Sequence, residues 1–219
     1  MNKLLAVIAA IVTFHGAVAY AGNAESPESL VRRISQEVLD TAKADVEIQG
    51  GNQKRVLDLV EAEIIPYVDF QRMTALAAGR YWREATPEQQ KQLTAEFRAL
   101  LVYTYSGAIA QIKDQKLEFK PMRGTLADAE VEVRSQVIQS RGEPLQLNYR
   151  LEKLPDGGWK IYDVNVLGAW LVETYRGNFA TQISKGGIDG LIAALADKNK
   201  KLAASAAKTS KSTKTAKAS

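Results

Sequence analysis

The sequence predicts an α+β fold in which helices cover one face of a curved antiparallel sheet of about four strands. Three observations lead to this fold class. Apolar residues recur with a helical period of about 3.6 as far as residue 112. From residue 115 to residue 166 they alternate with a period of two, and helical spacing returns at Trp170. Helices before and after a meander are typical of a sheet with one buried and one solvated face.

Local signals place the helices that precede the sheet. Ser26 can cap a first helix whose first position is a proline. A second helix closes at Pro66, and Asp69 can cap a short third helix that ends at a glycine. The strongest start signal is the capping box at residues 86–89, which opens a long helix running to about Ile112.

The strands follow as four alternating segments separated by glycine-containing turns. They are predicted at residues 117–119, 131–137, 145–152 and 159–166. The third is the clearest, because leucine and tyrosine alternate strictly with polar residues. After the sheet, the pair Gly186-Gly187 divides two further helices.

Residues 1–21 predict a secretory leader. Lys3 precedes an eleven-residue apolar run at 4–14, and Ala19-Tyr20-Ala21 predicts cleavage after Ala21. The run is too short to cross a hydrocarbon layer of ~30 Å, which disfavours a retained anchor. The chain has no cysteine and therefore no lipoprotein attachment site. We expect an exported protein without disulfides.

Charge divides the remaining chain into a body and a tail. Residues 198–219 hold seven lysines and no acid, and this composition predicts a disordered Lys-rich tail that either touches anionic lipid or only aids solubility. The chain carries +4 in total, so residues 22–197, the predicted single domain, are mildly acidic. An acidic body, export and the lack of a basic-aromatic motif argue against nucleic-acid binding.

The residue inventory excludes the common catalytic and metal sites. His15, the only histidine, lies in the leader, so the mature chain lacks serine-histidine and cysteine-histidine pairs and ordinary zinc ligands. No glycine-rich phosphate loop or calcium loop is present. We therefore predict no catalytic residue, no metal and no cofactor.

Asp163 is the residue on which an enzymatic alternative depends. It lies in the middle of the fourth strand and faces away from its neighbour Tyr162. A carboxyl group and a tyrosine can lie together in the active-site pocket of an isomerase, as they do in ketosteroid isomerase. The alternative for Asp163 is a solvated or salt-bridged strand residue, because no motif places a second carboxyl group beside it.

Several ordered segments resemble one known family, the MlaC proteins, also called the toluene-tolerance periplasmic proteins. The resemblance covers residues 26–196 and is carried by segments at 63–70, 79–82, 85–90, 97–98, 159–164 and 185–191. Each segment is weakly specific, whereas the ordered set is fairly specific. The Lys-rich tail is a departure from the family.

The resemblance implies a periplasmic, non-enzymatic carrier of phospholipid. Members of this family exchange phospholipid between an outer-membrane lipoprotein-porin complex and an inner-membrane ABC transporter with an MCE-domain protein, which maintains outer-membrane lipid asymmetry. The implied fold is a roll resembling nuclear transport factor 2, with a helical subdomain and an enclosed apolar pocket between the two. An adaptor without cargo, which would have a packed interior, is a further alternative.

The implied pocket and the inward-facing positions of the sequence together give a set of expected lipid-binding residues. They are Val60, Ile64, Tyr67, Val68, Met73, Tyr81, Phe97, Leu101, Tyr105, Val131, Val133, Leu147, Tyr149, Ile161, Val164, Val166 and Trp170. At about 0.8 kcal/mol per CH₂, two acyl chains cost on the order of 25 kcal/mol to expose to water. We expect an apolar cavity near or beyond the ~1,000 Å³ upper end of ordinary ligand sites.

Overall fold

The computed structural model describes residues 25–216 and the side chains of residues 25–207, so the predicted leader lies outside the described residues. The helices in this range are α1 (Pro27–Ala44), α2 (Val46–Gln49), α3 (Gln53–Glu63), α4 (Phe70–Ala78), α5 (Tyr81–Glu84), α6 (Pro87–Tyr105) and α7 (Leu171–Ala216), with 3₁₀ segments at Ile65–Tyr67 and Ser106–Gln111. The strands are β1 (Lys116–Arg123), β2 (Glu130–Ile138), β3 (Leu145–Lys153), β4 (Trp159–Val166) and β5 (Ala169–Trp170). The predicted α+β fold class is confirmed.

The five strands form one antiparallel meander in which each strand pairs with the next along the chain. Four of them are the predicted strands. The fifth, β5, is too short to produce an alternating pattern in the sequence. It forms because Leu167 and Gly168 make a two-residue turn that brings Ala169 back against Val166.

An irregularity between β3 and β4 bends the sheet. Arg150 pairs with Asp163, but Leu151 pairs with Ile161, which leaves Tyr162 as an extra residue in β4. The register of β1 against β2 also shifts near the end of β1. Such bulges increase the local twist and bend the strand. The apolar side chains of the meander therefore line a curved surface.

Side-chain caps begin the helices at the predicted positions. The Ser26 hydroxyl accepts a backbone N–H of α1 at 3.1 Å, and the Asp69 carboxylate accepts one of α4 at 2.8 Å. Thr86 and Gln89 form the reciprocal capping box at the start of α6. The predicted long helix is divided, since regular α-helix ends at Tyr105 and the chain continues as a 3₁₀ segment.

Helix α1 packs across the curved face of the sheet and forms the first core. One end of α1 contributes Leu30, Val31 and Ile34, which pack against residues of β2, β3 and β4, namely Val131, Val133, Leu151, Trp159 and Ile161. The other end of α1 packs on α2 and α3 through Val38 and Ala42. This helix therefore joins the sheet to the helices that follow it.

A second core holds α4, α6 and α7 together as a helical layer. Its centre is a group of three rings, in which Phe97 contacts Tyr175 and Phe179 edge to face with centroids 5.0 Å apart. Leu171 and Val172, at the start of α7, connect this layer to the end of the sheet. No described helix combines the length and the apolar character needed to cross a membrane.

The last helix bends where the sequence predicts a break and continues where it predicts disorder. Gly186 and Gly187 depart from helical geometry, and Gly187 has a φ of 67°. The backbone is helical through residue 216, in contrast to the disordered tail predicted for 198–219. Asn199 is buried and its amide donates to Glu96, while alanine and lysine are strong helix formers. The charge composition of the tail indicates neither the hydrogen bond between Asn199 and Glu96 nor the helix propensity of alanine and lysine.

The three-ring core predicts a large loss of stability on truncation of Phe97. Phe97→Ala should lower the free energy of unfolding by about 3–5 kcal/mol, because a fully buried ring leaves a cavity between two other rings. Denaturant unfolding measures this loss. Leu126→Ala is the matched control, since Leu126 is 55% exposed and should change stability by no more than about 0.5 kcal/mol. Equal effects of the two substitutions would contradict the assignment of Phe97 to the core.

Candidate functional site

A first chamber lies between α1, the 3₁₀ segment Ser106–Gln111 and the curved face of the sheet. Its volume is about 390 Å³. Helix α1 lines it with Val31, Ile34, Ser35, Val38 and Leu39; the remaining wall is Ile64, Ala108, Ile109, Gln111, Ile112, Gln115, Leu117, Val137, Gln139, Leu145, Leu147, Tyr149 and Ile161. Helix α1, which packs on the sheet at Leu30, thus borders an open space from Val31 to Leu39.

A second chamber of about 320 Å³ lies between the helical layer and the end of the sheet. Its wall is Val60, Ile64, Ile65, Val68, Phe70, Met73, Leu101, Val102, Tyr105, Ser106, Ala108, Ile109, Leu147, Tyr149, Val164, Val166 and Leu171. Residues common to both walls are Ile64, Ala108, Ile109, Leu147 and Tyr149. The two chambers therefore adjoin at these five residues, and we call the pair the branched cavity.

The cavity wall is apolar and carries no charged side chain. Its polar members are hydroxyl and amide groups from Ser35, Tyr105, Ser106, Gln111, Gln115, Gln139 and Tyr149. Among all wall residues, Ala108, Gln111 and Leu145 are exposed to solvent. The mouth accordingly lies where the 3₁₀ segment passes the start of β3. A wall of this chemistry can hold hydrocarbon and cannot compensate a buried charge.

Tyr149 stands where the two chambers meet. Its hydroxyl lies 3.4 Å from the hydroxyl of Ser35 on α1, and Ser135 on β2 is a second hydroxyl neighbour. Burial raises the pKa of Tyr149 to about 12, against the small lowering effect of Ser35. The phenol is therefore neutral at physiological pH and adds a hydrogen-bonding group to an otherwise apolar wall.

Most of the expected lipid-binding residues lie in this wall. Val60, Val68, Met73, Leu101, Tyr105, Val164 and Val166 line the second chamber, Ile161 lines the first, and Ile64, Leu147 and Tyr149 line both. They come from α3, α4, α6, the two strands β3 and β4 and the chain around the 3₁₀ segment Ile65–Tyr67, so the fold brings together positions far apart in the sequence. Whether they contact lipid stays a prediction.

Six of the expected residues lie outside the wall. Val131 and Val133 are buried in the core between α1 and the sheet, and Phe97 is buried in the three-ring core. The other three are aromatic residues that stack with arginines: Tyr67 with Arg33, Tyr81 with Arg80 and Trp170 with Arg150. Core and cavity positions on the curved face have the same side-chain chemistry, which is why periodicity does not separate them.

The sequence does not reveal that α1 and the 3₁₀ segment line the cavity. Leu30, Val31, Ile34 and Val38 form a stripe with helical periodicity, but nothing in the stripe indicates that part of it faces a space, and Leu39 lies outside the stripe. Ala108 and Ile109 were expected on a regular helix. The chambers are also smaller than the expected ~1,000 Å³, each near the ~300 Å³ lower end of ordinary ligand sites.

Asp163 does not face the cavity, and its carboxylate is fully engaged. One oxygen accepts the backbone N–H of Val164 at 2.9 Å and that of Val172 at 3.1 Å, while the other lies 3.3 Å from Nη1 of Arg150. Burial raises the pKa of Asp163, and these partners lower it. Asp163 is 1% exposed, so it is a buried salt-bridged residue that ties the start of α7 to β4.

A network of charged side chains on the outer side of the sheet continues from this pair. Arg72 of α4 contacts Glu130 and Glu152, and its guanidinium lies 4.2 Å from the ring centroid of Tyr162. The Tyr162 hydroxyl donates to Glu130 at 2.7 Å, and this bond lowers the pKa of Glu130. Within the described part of the chain, no group of three His, Cys, Asp or Glu side chains is placed to hold a metal ion.

A branched apolar cavity without charged groups, enclosed by a curved sheet and a helical layer, defines a protein that binds an apolar or amphipathic ligand. Comparison with known proteins identifies the family to which the chain belongs. The model of the family described as MlaC protein matches residues 32–197, and the chain belongs to that family. The resemblance stated from the sequence is thereby confirmed.

Two curated relatives and one solved structure are similar to the chain. The intermembrane phospholipid transport system binding protein MlaC of Haemophilus influenzae is 23% identical, over 76% of this chain and 79% of the relative. The toluene tolerance protein ttg2D of Pseudomonas putida is 26% identical over 76% and 77%. A phospholipid-binding protein from Ralstonia solanacearum, solved in complex with a phospholipid, is 46% identical with a TM-score of 0.76, over 80% of this chain and 98% of that structure.

Burial of Tyr149 predicts a loss of stability at alkaline pH. Its pKa is raised to about 12, whereas that of an unfolded tyrosine is about 10. Its contribution is therefore fully present below pH 10 and is lost as the pH rises towards 12. Tyr149→Phe should lose less stability between these two pH values than the unsubstituted protein, as measured by denaturant unfolding. Parallel pH profiles of the two proteins would contradict the burial of the phenol.

The contacts of Asp163 predict a structural effect of Asp163→Asn. The substitution places an amide opposite Arg150 and should lower the free energy of unfolding by roughly 3 kcal/mol, because one partner of a buried pair is lost. Denaturant unfolding measures this loss, and organic extraction measures bound lipid. The lipid content of the folded fraction should stay unchanged. A variant of unchanged stability that has lost its function would instead support the enzymatic alternative.

Proposed function

We propose that this protein is a periplasmic phospholipid carrier that shelters acyl chains in the branched cavity. The observation that carries the proposal is the uncharged, apolar wall shared by two adjoining chambers. The Ralstonia solanacearum structure, which contains a phospholipid, supports it through 46% identity over nearly its whole length. Two adjoining apolar chambers suit a ligand that has two apolar tails.

The free-energy cost of exposing acyl chains to water explains why a phospholipid needs a carrier. Two acyl chains in water cost on the order of 25 kcal/mol at about 0.8 kcal/mol per CH₂. Spontaneous crossing of an aqueous compartment is correspondingly slow, and a soluble protein must offer the tails an apolar shelter. Because the wall lacks charge, it recognises the tails, and the headgroup remains at the mouth. Tolerance of different headgroups follows from this arrangement.

The wider role is part of the proposal. The protein would receive and deliver phospholipid between an outer-membrane lipoprotein-porin complex and an inner-membrane ABC transporter with an MCE-domain protein, and so maintain outer-membrane lipid asymmetry. Support comes from the name of the Haemophilus influenzae relative, an intermembrane transport system binding protein. The sequence pattern of a leader cleaved after Ala21 supports delivery to the periplasm.

Organic extraction of protein purified from the periplasm tests the carrier function. Leu147 lines both chambers, so Leu147→Trp should fill the junction and reduce co-purifying phospholipid at least several-fold relative to the unsubstituted protein. Leu126→Trp, a substitution of the same type at an exposed site in the turn after β1, should leave the lipid content unchanged.

Val133→Trp separates cavity filling from destabilisation. Val133 is 0% exposed and lies in the core, so tryptophan there should mainly lower stability. If the unsubstituted protein, gently purified, yields no phospholipid, the carrier function is wrong. Equal lipid content in the Leu147 and Leu126 variants would show that lipid binds elsewhere.

A further inference from the structure

The mouth of the cavity adjoins a turn that exposes a second leucine. Leu145, in the cavity wall, is 37% exposed. Leu167, in the turn between β4 and β5, is 66% exposed, and its backbone N–H donates to the carbonyl of Gln146 at 3.1 Å. The two leucines therefore lie at the same end of the sheet, beside the opening. We call this pair the apolar lip.

Leu167 occupies a backbone conformation that does not suit leucine. Its φ is 55°, and among residues 25–216 it is the one non-glycine residue with positive φ. A left-handed conformation costs an ordinary L-residue roughly 1–2 kcal/mol. The following Gly168 also has a positive φ, as in the two-residue hairpin turns that prefer asparagine followed by glycine.

The combination of a positive φ and high exposure distinguishes Leu167 from the other exposed leucines. A scattered exposed leucine needs no explanation, and Leu126, at the opposite end of the meander, is such a residue. Leu167 differs because an asparagine there would be both less strained and more soluble. Strained residues that persist in a structure are often part of a functional site.

We propose that the apolar lip, Leu145 and Leu167, inserts into the surface of a phospholipid bilayer when lipid enters or leaves the cavity. The proposal rests on the carrier function. With the lip in the hydrocarbon boundary, the mouth opens onto the acyl chains, and a tail passes into the wall at Leu145 without crossing water. Burial of the exposed parts of two leucines is favourable but small, which gives a weak and reversible contact.

The size and charge of the lip favour a bilayer over a protein surface. Residues 144–149 and 164–170 contain no charged side chain, so contact does not depend on pairing with a charged partner. Two leucines, one in the β4–β5 turn and one at the start of β3, offer far less area than the roughly 800 Å² per partner of a stable protein interface. An isolated apolar tip can instead enter a fluid surface that adapts to its shape.

Uptake of fluorescent phospholipid from vesicles by delipidated mature protein tests the lip. With vesicles of phosphatidylcholine, Leu167→Asn should slow uptake roughly tenfold, because an apolar tip worth about 1.5 kcal/mol or more is lost. Its final lipid content should be unchanged. The same substitution should raise the thermal midpoint by a few degrees, since asparagine relieves the strain. Leu167→Met should keep the rate, and Leu126→Asn is the matched control for both measurements.

Slower uptake together with higher stability supports the proposal, because loss of structure would lower both. An unchanged rate in Leu167→Asn overturns it. So does uptake that requires phosphatidylglycerol and vanishes at high salt in every variant, which would assign contact to the lysine-rich tail. If the unsubstituted protein contains phospholipid as purified but its delipidated form takes up lipid from no vesicle, the proposal is also overturned, and transfer goes through a protein partner. A protein that never contains phospholipid would refute the carrier function itself.

Discussion

The incomplete contact between α1 and the curved face of the sheet is the constraint on which the rest of the structure depends. At its beginning the helix is packed on the sheet through Leu30, and Val31 and Ile34 belong both to this core and to the chamber wall. Further along, Val38 and Leu39 face a space that the sheet does not fill. A bent sheet cannot contact a straight helix along its full length. The first chamber is the consequence of that mismatch, and the helical layer closes the second.

The sequence could predict the elements but only part of the cavity. The caps at Ser26, Asp69 and Thr86 bond to backbone groups within one helical turn. Their effect is therefore local and can be predicted from the sequence. The distinction between Val133 and Leu147 is of another kind. Both point to the curved face of neighbouring strands, yet one is core and the other cavity wall. That difference depends on where α1 lies, and hence on contacts distant in sequence. The prediction that the ligand is a phospholipid came from the family resemblance, because the periodicity of apolar residues does not indicate which ligand is bound.

The ion pairs of Arg72 and Arg150 lie on the side of the sheet that faces away from the cavity. The extra residue in β4 leaves Tyr162 and Asp163 beside Arg72 and Arg150, where they join α4 and α7 to the strands. Burial raises the pKa of Asp163 while hydrogen bonds oppose that shift, so the carboxylate needs each of its partners. This arrangement fixes the helical layer to the sheet with polar contacts. The interior wall can then consist of hydrocarbon, hydroxyl and amide groups alone.

The 3₁₀ segment Ser106–Gln111 contributes Ala108 and Ile109 to both chambers. Its hydrogen bonds have poorer geometry than those of the regular helix before it. The wall that the chambers share therefore includes backbone that is held less firmly than a regular α-helix. A displacement of this one segment would change the size of both chambers together and would leave Leu30 of α1 packed on the sheet.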